Sequence, residues 1–600
     1  MMERYQKAMG RIHAPADTKK KLLGSTTRPR RSVFARVLPV AACLLLLAAG
    51  CVGLYFAEKE PVMPVGQSYD DIYEAWRSNR GNQGGYYGET ILGGGGIDDA
   101  VINGDIFAES QGTTILGPSP DHYETHMQTE GVLESDLQKT DGRYLWRFDR
   151  TTLYTYRLAG GETELLESTA MPEECGRLYA MFFWEGRLAL IGAADTYTYA
   201  YLFDVDPASG IPRLAETFRQ SGVYKDSRIV NGELYLVTNH YAGMPRDDEE
   251  LDIEKHIPKI AVGDEERLLK PEEIYLCEEI VTSRYSITFS VVSAIDLEEK
   301  LFDSTKAVLS NSYVLYASAE SIYLFAYGDH DTTQIFRFAM DKENTVLTRT
   351  GEVEGNVLNQ FSVDEHDGYL RLATSVNWSI LIGGEHFSGH HNCVYVLDKD
   401  LQILGALEKI QPDERIYSAR FSGDLCYLVT FRQTDPLFAI DLSDPSEPEI
   451  LSELKVTGFS SYLYEYGDGL LLGFGAEGTE TGTLTGWKLS MFDVADPEDV
   501  TEIANRVISR KLAWGATWYD HNNLMISKER NLIGVPLEGY QLYTYEEEGR
   551  AFVLLGHYTV NGNKIRGTYA GKYCYVTSTM GLIAIDLESY EVVAEIDIAQ

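Results

Sequence analysis

One pattern recurs along most of this chain and narrows its fold more than any other feature. A turn leads into an apolar strand of the form G-x-L-Y-L-V-T, and a second strand then ends on an acidic turn. The first half of the unit reads GRLALIG (186–192), GELYLVT (232–238), ESIYLFA (320–326), DGYLRLAT (367–374), GDLCYLVT (423–430), DGLLLGFG (468–475) and GKYCYVTS (571–578). The second half reads YLFDVDP (201–207), VSAIDLE (292–298), VYVLDKD (394–400), LFAIDLSDP (437–445), LSMFDVADP (489–497) and LIAIDLE (582–588). A third strand follows, as in ILSELKVTG (450–458). Apolar residues at period two make half-buried strands. Asp caps the turn after such a strand, and Pro cannot donate to the ladder. Amphipathic helices do not separate the strands, which excludes parallel βαβ units. Nine such units run from Gly142 to Ile598, at about 50 residues each. Short sheets that cannot bury both faces alone find cover by packing in a ring. The expected fold is therefore all-β, a β-propeller of about eight or nine four-stranded blades.

Two stretches interrupt the repeat. The charged segment 242–283 splits one unit and is expected to project as a loop. NWSILIGGEHFSGHH (377–391) reads as a second loop between strands.

The chain before the repeat is different. Residues 37–57, VLPVAACLLLLAAGCVGLYFA, carry no charge. At about 1.5 Å per residue such a run spans about 30 Å, enough to cross a bilayer. Arg28, Arg30, Arg31 and Arg36 precede it and Glu-Lys-Glu follows, so the positive-inside rule places the N-terminus in the cytoplasm. The alternatives are a lipoprotein signal ending at Cys51, whose Ala48 stands where Leu is usual, and a cleaved signal peptide, for which the run is long. The reading adopted is a basic cytoplasmic stub (1–32), a transmembrane helix (33–57), a glycine-rich stalk (58–122) and the propeller (123–600). Within the stalk, 68–77 suggests one short helix with Ser68 as N-cap, and GNQGGYYGETILGGGG (81–96) a flexible linker. This makes a single-pass membrane protein with its main domain outside the cell.

Charge follows the same division. Residues 1–36 hold ten Lys/Arg and two Asp/Glu, leaving 42 against 89 beyond residue 57, a net of −47. A body that acidic repels nucleic acid and attracts cations and basic partners. Expected partners are the membrane, through residues 33–57, and an extracytoplasmic protein, peptide or wall polymer, with no nucleic acid. Of seven cysteines, Cys43 and Cys51 lie in the apolar run, and the other five are widely spaced and make neither a disulfide framework nor a zinc motif. Cys277, Cys393, Cys426 and Cys574 lie in apolar runs and read as buried thiols.

YETHMQTEGVLESDLQKTDGRYLW (123–146), GNVLNQFSVDEHD (355–367) with GYLRLAT (368–374), and the 54 residues 414–467 resemble a family of secreted or membrane-anchored bacterial and archaeal β-propellers, distantly related to WD-repeat proteins. Its signature usually runs TNVQVEGVDEADIVKTDG. Leu133-Glu134-Ser135-Asp136 stands where Asp-Glu-Ala-Asp is usual, so one carboxylate is missing. The resemblance covers roughly 68–600. It implies a propeller and an extracytoplasmic location, and no activity.

Motifs for a catalytic elbow, a P-loop or a zincin are absent from the sequence. Three clusters could hold a ligand. His386, His390 and His391, beside Glu385, have the donors for a transition metal, or are polar residues of a surface loop. Glu130, Glu134 and Asp136, with Asp141, offer the hard oxygens that calcium takes, or cap turns. Arg415, Arg420, Arg432 and Asp435 form a candidate ligand-binding set. They come from a larger group, Asn359, Gln360, Asp364, Glu365, Arg371, Glu414 and Gln433 included, whose first reading is an inter-blade network. A divalent cation is the cofactor these clusters suit. The functional expectation is a binding or scaffold module at the cell surface. The alternatives are an enzyme with its site at the central channel and a transmembrane sensor whose stub engages a sigma factor.

Overall fold

The computed structural model describes residues 64–81, 121–243, 252–276, 286–328, 331–340, 345–382, 385–431, 435–467, 469–479, 481–511 and 521–598. The stub, the apolar segment 33–57 and the linker 82–120 lie outside the described residues. Among the described residues no helix is long and apolar enough to cross a membrane.

The repeat builds nine sheets among the described residues, each with four antiparallel strands in chain order at its centre. They form blade 1 (138–170), blade 2 (177–221), blade 3 (223–308), blade 4 (312–354), blade 5 (356–410), blade 6 (415–456), blade 7 (459–509), blade 8 (525–558) and blade 9 (566–597). Blade 6 shows why the sequence reads as it does. Its second strand, Leu425–Phe431, is buried on both faces along its middle and is apolar almost throughout. Its last strand, Glu449–Val456, lies at the sheet edge and mixes exposed with half-buried residues. The acidic turn after the third strand is a side-chain cap. Asp441 accepts from the amide of Ser443 at 2.8 Å, Asp296 from Glu298 at 2.7 Å, and Asp586 from Glu588 at 2.9 Å.

Each neighbouring pair of blades shares its own apolar core. Blades 1 and 2 meet at Trp146, Leu153, Met181 and Leu190, and blades 8 and 9 at Tyr540, Leu542, Cys574 and Val576. The ring closes between blades 9 and 1, where Tyr575, Leu582 and Ala584 pack on Leu145 and Tyr156. Among the described residues no strand is shared across this seam, and packing joins the two blades there. Cys175, Cys393, Cys426 and Cys574 are free and buried, while Cys277 lies outside the described residues. Burial pushes the Cys426 thiol up to about 12.

Both expected loops are corrected. Within 242–283, Lys259–Val262 and Glu265–Leu268 form a hairpin that joins the outer strand of blade 2, with Ile260 opposite Gln220. Ile274–Tyr275 pairs in parallel with the outer strand of blade 3. The cause is apolar: Ile257, Ile260, Leu269 and Ile274 are buried among the charges. Likewise 377–382 and 385–391 belong to the paired strands Tyr369–Ile382 and Glu385–Leu397. The indole of Trp378 lies across Gly389, where no Cβ would fit.

The helix Tyr69–Gly81 starts at Ser68, whose hydroxyl accepts from the amide of Asp71 at 3.2 Å, while Asp71 accepts from the amide of Ser68 at 2.9 Å. Ile72 and Trp76 enter the core shared by blades 3 and 4, and Tyr69 donates to the carbonyl of Leu269 at 3.0 Å.

Candidate functional site: the filled central channel

The segment 121–140, which carries the family-like signature, runs through the centre of the ring. It starts on blade 9, where the amide of Tyr123 donates to the carbonyl of Tyr569 at 2.9 Å. Gln128 then donates to the carbonyls of Gln360 and Val363 in blade 5, at 3.0 and 2.9 Å. Thr129 lies 3.4 Å from the Tyr316 hydroxyl of blade 4. The chain turns at Gly131, whose φ of 79° suits glycine. Val132–Leu133 adds a strand to the inner edge of blade 3, opposite Val230 and Ile229. The amide of Asp136 donates to Met181 of blade 2 at 3.1 Å, and Gln138–Thr140 opens blade 1. Asn522, between blades 7 and 8, donates to the carbonyl of Ser135 at 3.4 Å.

Charges brought into the channel come with partners, as burial demands. Arg566 donates to Asp136 at 2.9 Å and also to Asn523. Arg228 bonds Asp226 at 2.5 Å and Gln360 at 2.7 Å. Arg420 pairs with Glu465 at 3.3 Å; Arg371, packed between blades 5 and 6 against Phe421, pairs with Asp364. His126 is buried, edge-on to Tyr123 and Tyr464 at 5.2 and 5.0 Å between ring centres. Burial first, and the Arg420 charge second, hold its imidazole down to about 3, so it is neutral at physiological pH. One cavity of about 340 Å³ remains beside the segment, lined among others by His122, Tyr123, Glu134, Lys139, Phe182 and Phe183. Lys139 crosses it to Thr125 and to the carbonyl of Glu134, at 2.5 and 2.6 Å.

The residues singled out from sequence are dispersed. Glu130 is exposed at the turn, Glu134 is buried and accepts from the amide of Gln128 at 2.8 Å, and Asp136 faces Arg566. His386 and His390 sit on one face of their strand, and His391 on the other. His386 is exposed. His390 contacts Asn377 at 2.9 Å, and burial together with Arg415 lowers its pKa. Arg415 donates to Asn377 at 3.0 Å on the rim, while Arg420 lies in the channel. Arg432 lies outside the described residues, as does the side chain of Asp435. The one trio of acidic, His or Cys groups with ligand atoms within 4.8 Å of one another, among the described residues, is Glu233, Asp296 and Asp303 in blade 3. Strand pairing, which sets Glu233 opposite Asp296, is the signal that sequence reading lacked.

An uncharacterized protein of Archaeoglobus fulgidus is 35% identical over 268 residues, covering 44% of this chain and 39% of that protein. An uncharacterized protein of Methanocaldococcus jannaschii is 31% identical over 250 residues, covering 42% of this chain and 38% of its own. The chain thus spans about two fifths of the length of the curated relatives it matches. Among solved structures, Kuenenia stuttgartiensis hydrazine synthase aligns with a TM-score of 0.31 at 10% identity, over 52% of this chain and 92% of that one. Hsv2 of Kluyveromyces marxianus aligns with a TM-score of 0.30 at 8% identity, over 71% and 99%. Both scores are too low to carry an argument. The model of the beta propeller domain matches residues 122–580, from the channel segment through the first two strands of blade 9, and the chain belongs to that family.

Proposed function

We propose that this protein is a membrane-anchored propeller working outside the cell as a binding or scaffold module. Residues 1–32 are its cytoplasmic stub, 33–57 its single transmembrane helix, and 58–122 the connection to the propeller of 123–600. One observation carries the binding reading. The chain fills its own channel with residues 121–140 and pairs the charges there, so the outward faces and rim are what a partner can meet. That same filling weighs against an enzyme working through an open channel. The charge-free run 37–57 and the change of charge across it support the anchor. The partner is an extracytoplasmic protein, peptide or wall polymer.

Fractionation with protease shaving tests the location. The full chain should stay in the membrane pellet after alkaline carbonate, and protease added to intact cells should release fragments of 64–600. A chain lacking 33–57 should leave the pellet. Equal solubility with and without that segment, or full protection from external protease, would sink the proposal.

A further inference from the structure

Exposed aromatic rings mark one end of the ring of blades. Among the described residues three Tyr, Phe or Trp side chains stand out as exposed: Tyr241, Tyr327 and Phe387, at 45%, 52% and 40%. All three lie where the second strand turns into the third, in the consecutive blades 3, 4 and 5. Chance placement in a tyrosine-rich protein would scatter them among nine blades and two ends.

The backbone makes this end a trough. In blade 3 the inner strand begins at Val223 opposite Asn239, and 240–243 run on beyond it. In blade 5 Asn356 lies opposite Ser375, and 376–382 run on. In blade 4 Ser312 lies opposite Ala326, leaving Tyr327 alone beyond. At about 3.4 Å per residue the flanking hairpins overhang by about 14 and 24 Å, against about 3 Å for blade 4. On that low step Tyr313 and Tyr327 stack at 4.1 Å. Planar polar groups edge the trough and continue past it. Tyr241 donates to Asn311 at 3.2 Å, and Asp331 accepts from Asn356 at 2.7 Å and from the amide of Asn377. Asn377 in turn meets His390 and Arg415 of the next blade.

We propose that this trough binds a neutral polysaccharide of the cell's own envelope. The inference rests on the extracytoplasmic reading above and names the partner class. A pyranose offers an apolar C–H face, which stacks on an exposed ring, and equatorial hydroxyls, which bond to planar amide, carboxylate and guanidinium groups. The trough presents both. The net charge of −47 beyond residue 57 disfavours anionic polymers, which leaves an uncharged glycan as the wall component that fits.

Affinity electrophoresis of the detergent-solubilised full chain tests this, in native gels containing glycol chitin as a neutral polysaccharide or polygalacturonate as an anionic one. Glycol chitin should retard the chain and polygalacturonate should not. Tyr241→Ala with Tyr327→Ala should weaken retardation about tenfold or more, because both rings are exposed at the trough, and an unchanged thermal melting point should show that the variant stays folded. Leu554→Ala, exposed on the outer strand of blade 8, should leave it unchanged. Equal migration with and without glycol chitin, equal retardation by polygalacturonate, or retardation indifferent to the double substitution overturns the inference. So does a photo-crosslinker at position 327 that captures a protein while glycol chitin has no effect, since the trough then docks a polypeptide. The membrane and protease assays above are independent of these outcomes, so the glycan can fail while the anchored module stands, and the reverse.

Discussion

Single residues in the channel carry the largest electrostatic stakes. His126 is neutral in the folded protein, with its pKa at about 3, whereas an unfolded imidazole titrates near its ordinary 6.5. Below pH 6.5 the unfolded chain binds the extra proton, so this group destabilises the fold as pH falls from 6.5 towards 3. At pH 5 the effect is about 2 kcal/mol. His126→Phe should therefore shrink the loss of stability between pH 7 and pH 5 by about that much, read from denaturant midpoints at each pH. A second test concerns Asp136, which lies buried against Arg566. Arg566→Met leaves that carboxylate without its cation and should cost about 3–5 kcal/mol. Adding Asp136→Asn should recover a large part, and a double variant no better than the single would refute the pairing account.

At the scale of elements, the N-terminal helix shows how a segment outside the repeat is held. Its cap at Ser68 is local, but its docking depends on Trp76, which is 3% exposed in the core of blades 3 and 4. Trp76→Ala should release Tyr69–Gly81 at a cost of about 3–5 kcal/mol. Ser68→Ala should cost about 1 kcal/mol. Hydrogen exchange of the helix amides would rank the two, and equal protection in both variants would contradict the packing argument. The cap was legible from Ser68 alone, because capping needs neighbours within three residues. The strands added to blades 2 and 3 by 259–275 were not. Their buried isoleucines are interspersed with charges, so no period stands out, and their partners lie up to about 40 residues away along the chain.

For the whole molecule, the seam between blades 9 and 1 decides whether the ring closes. Tyr575 packs there against the first blade, and its hydroxyl accepts from the amide of Gly160 at 3.1 Å. Tyr575→Phe removes that acceptor and should cost about 1 kcal/mol. Tyr575→Ala also removes the ring and should cost about 3–5 kcal/mol. Limited proteolysis of the alanine variant should then cut first within 566–597. First cleavage at another blade would show that closure does not limit stability.

The sequence by itself determined the blades. Period-two burial, the glycine before most second strands and the Asp that caps the acidic turn act over a few residues, so one chain displays them without a partner. It also carried the signature that marks the family. Tertiary structure alone decided what that signature does. Gln128 meets Gln360 and Asp136 meets Arg566, contacts 232 and 430 residues apart along the chain. Closing the ring brings such residues to one axis, and no local pattern encodes that meeting. The trough arises in the same way, from unequal hairpin lengths in three blades that only their packing sets side by side.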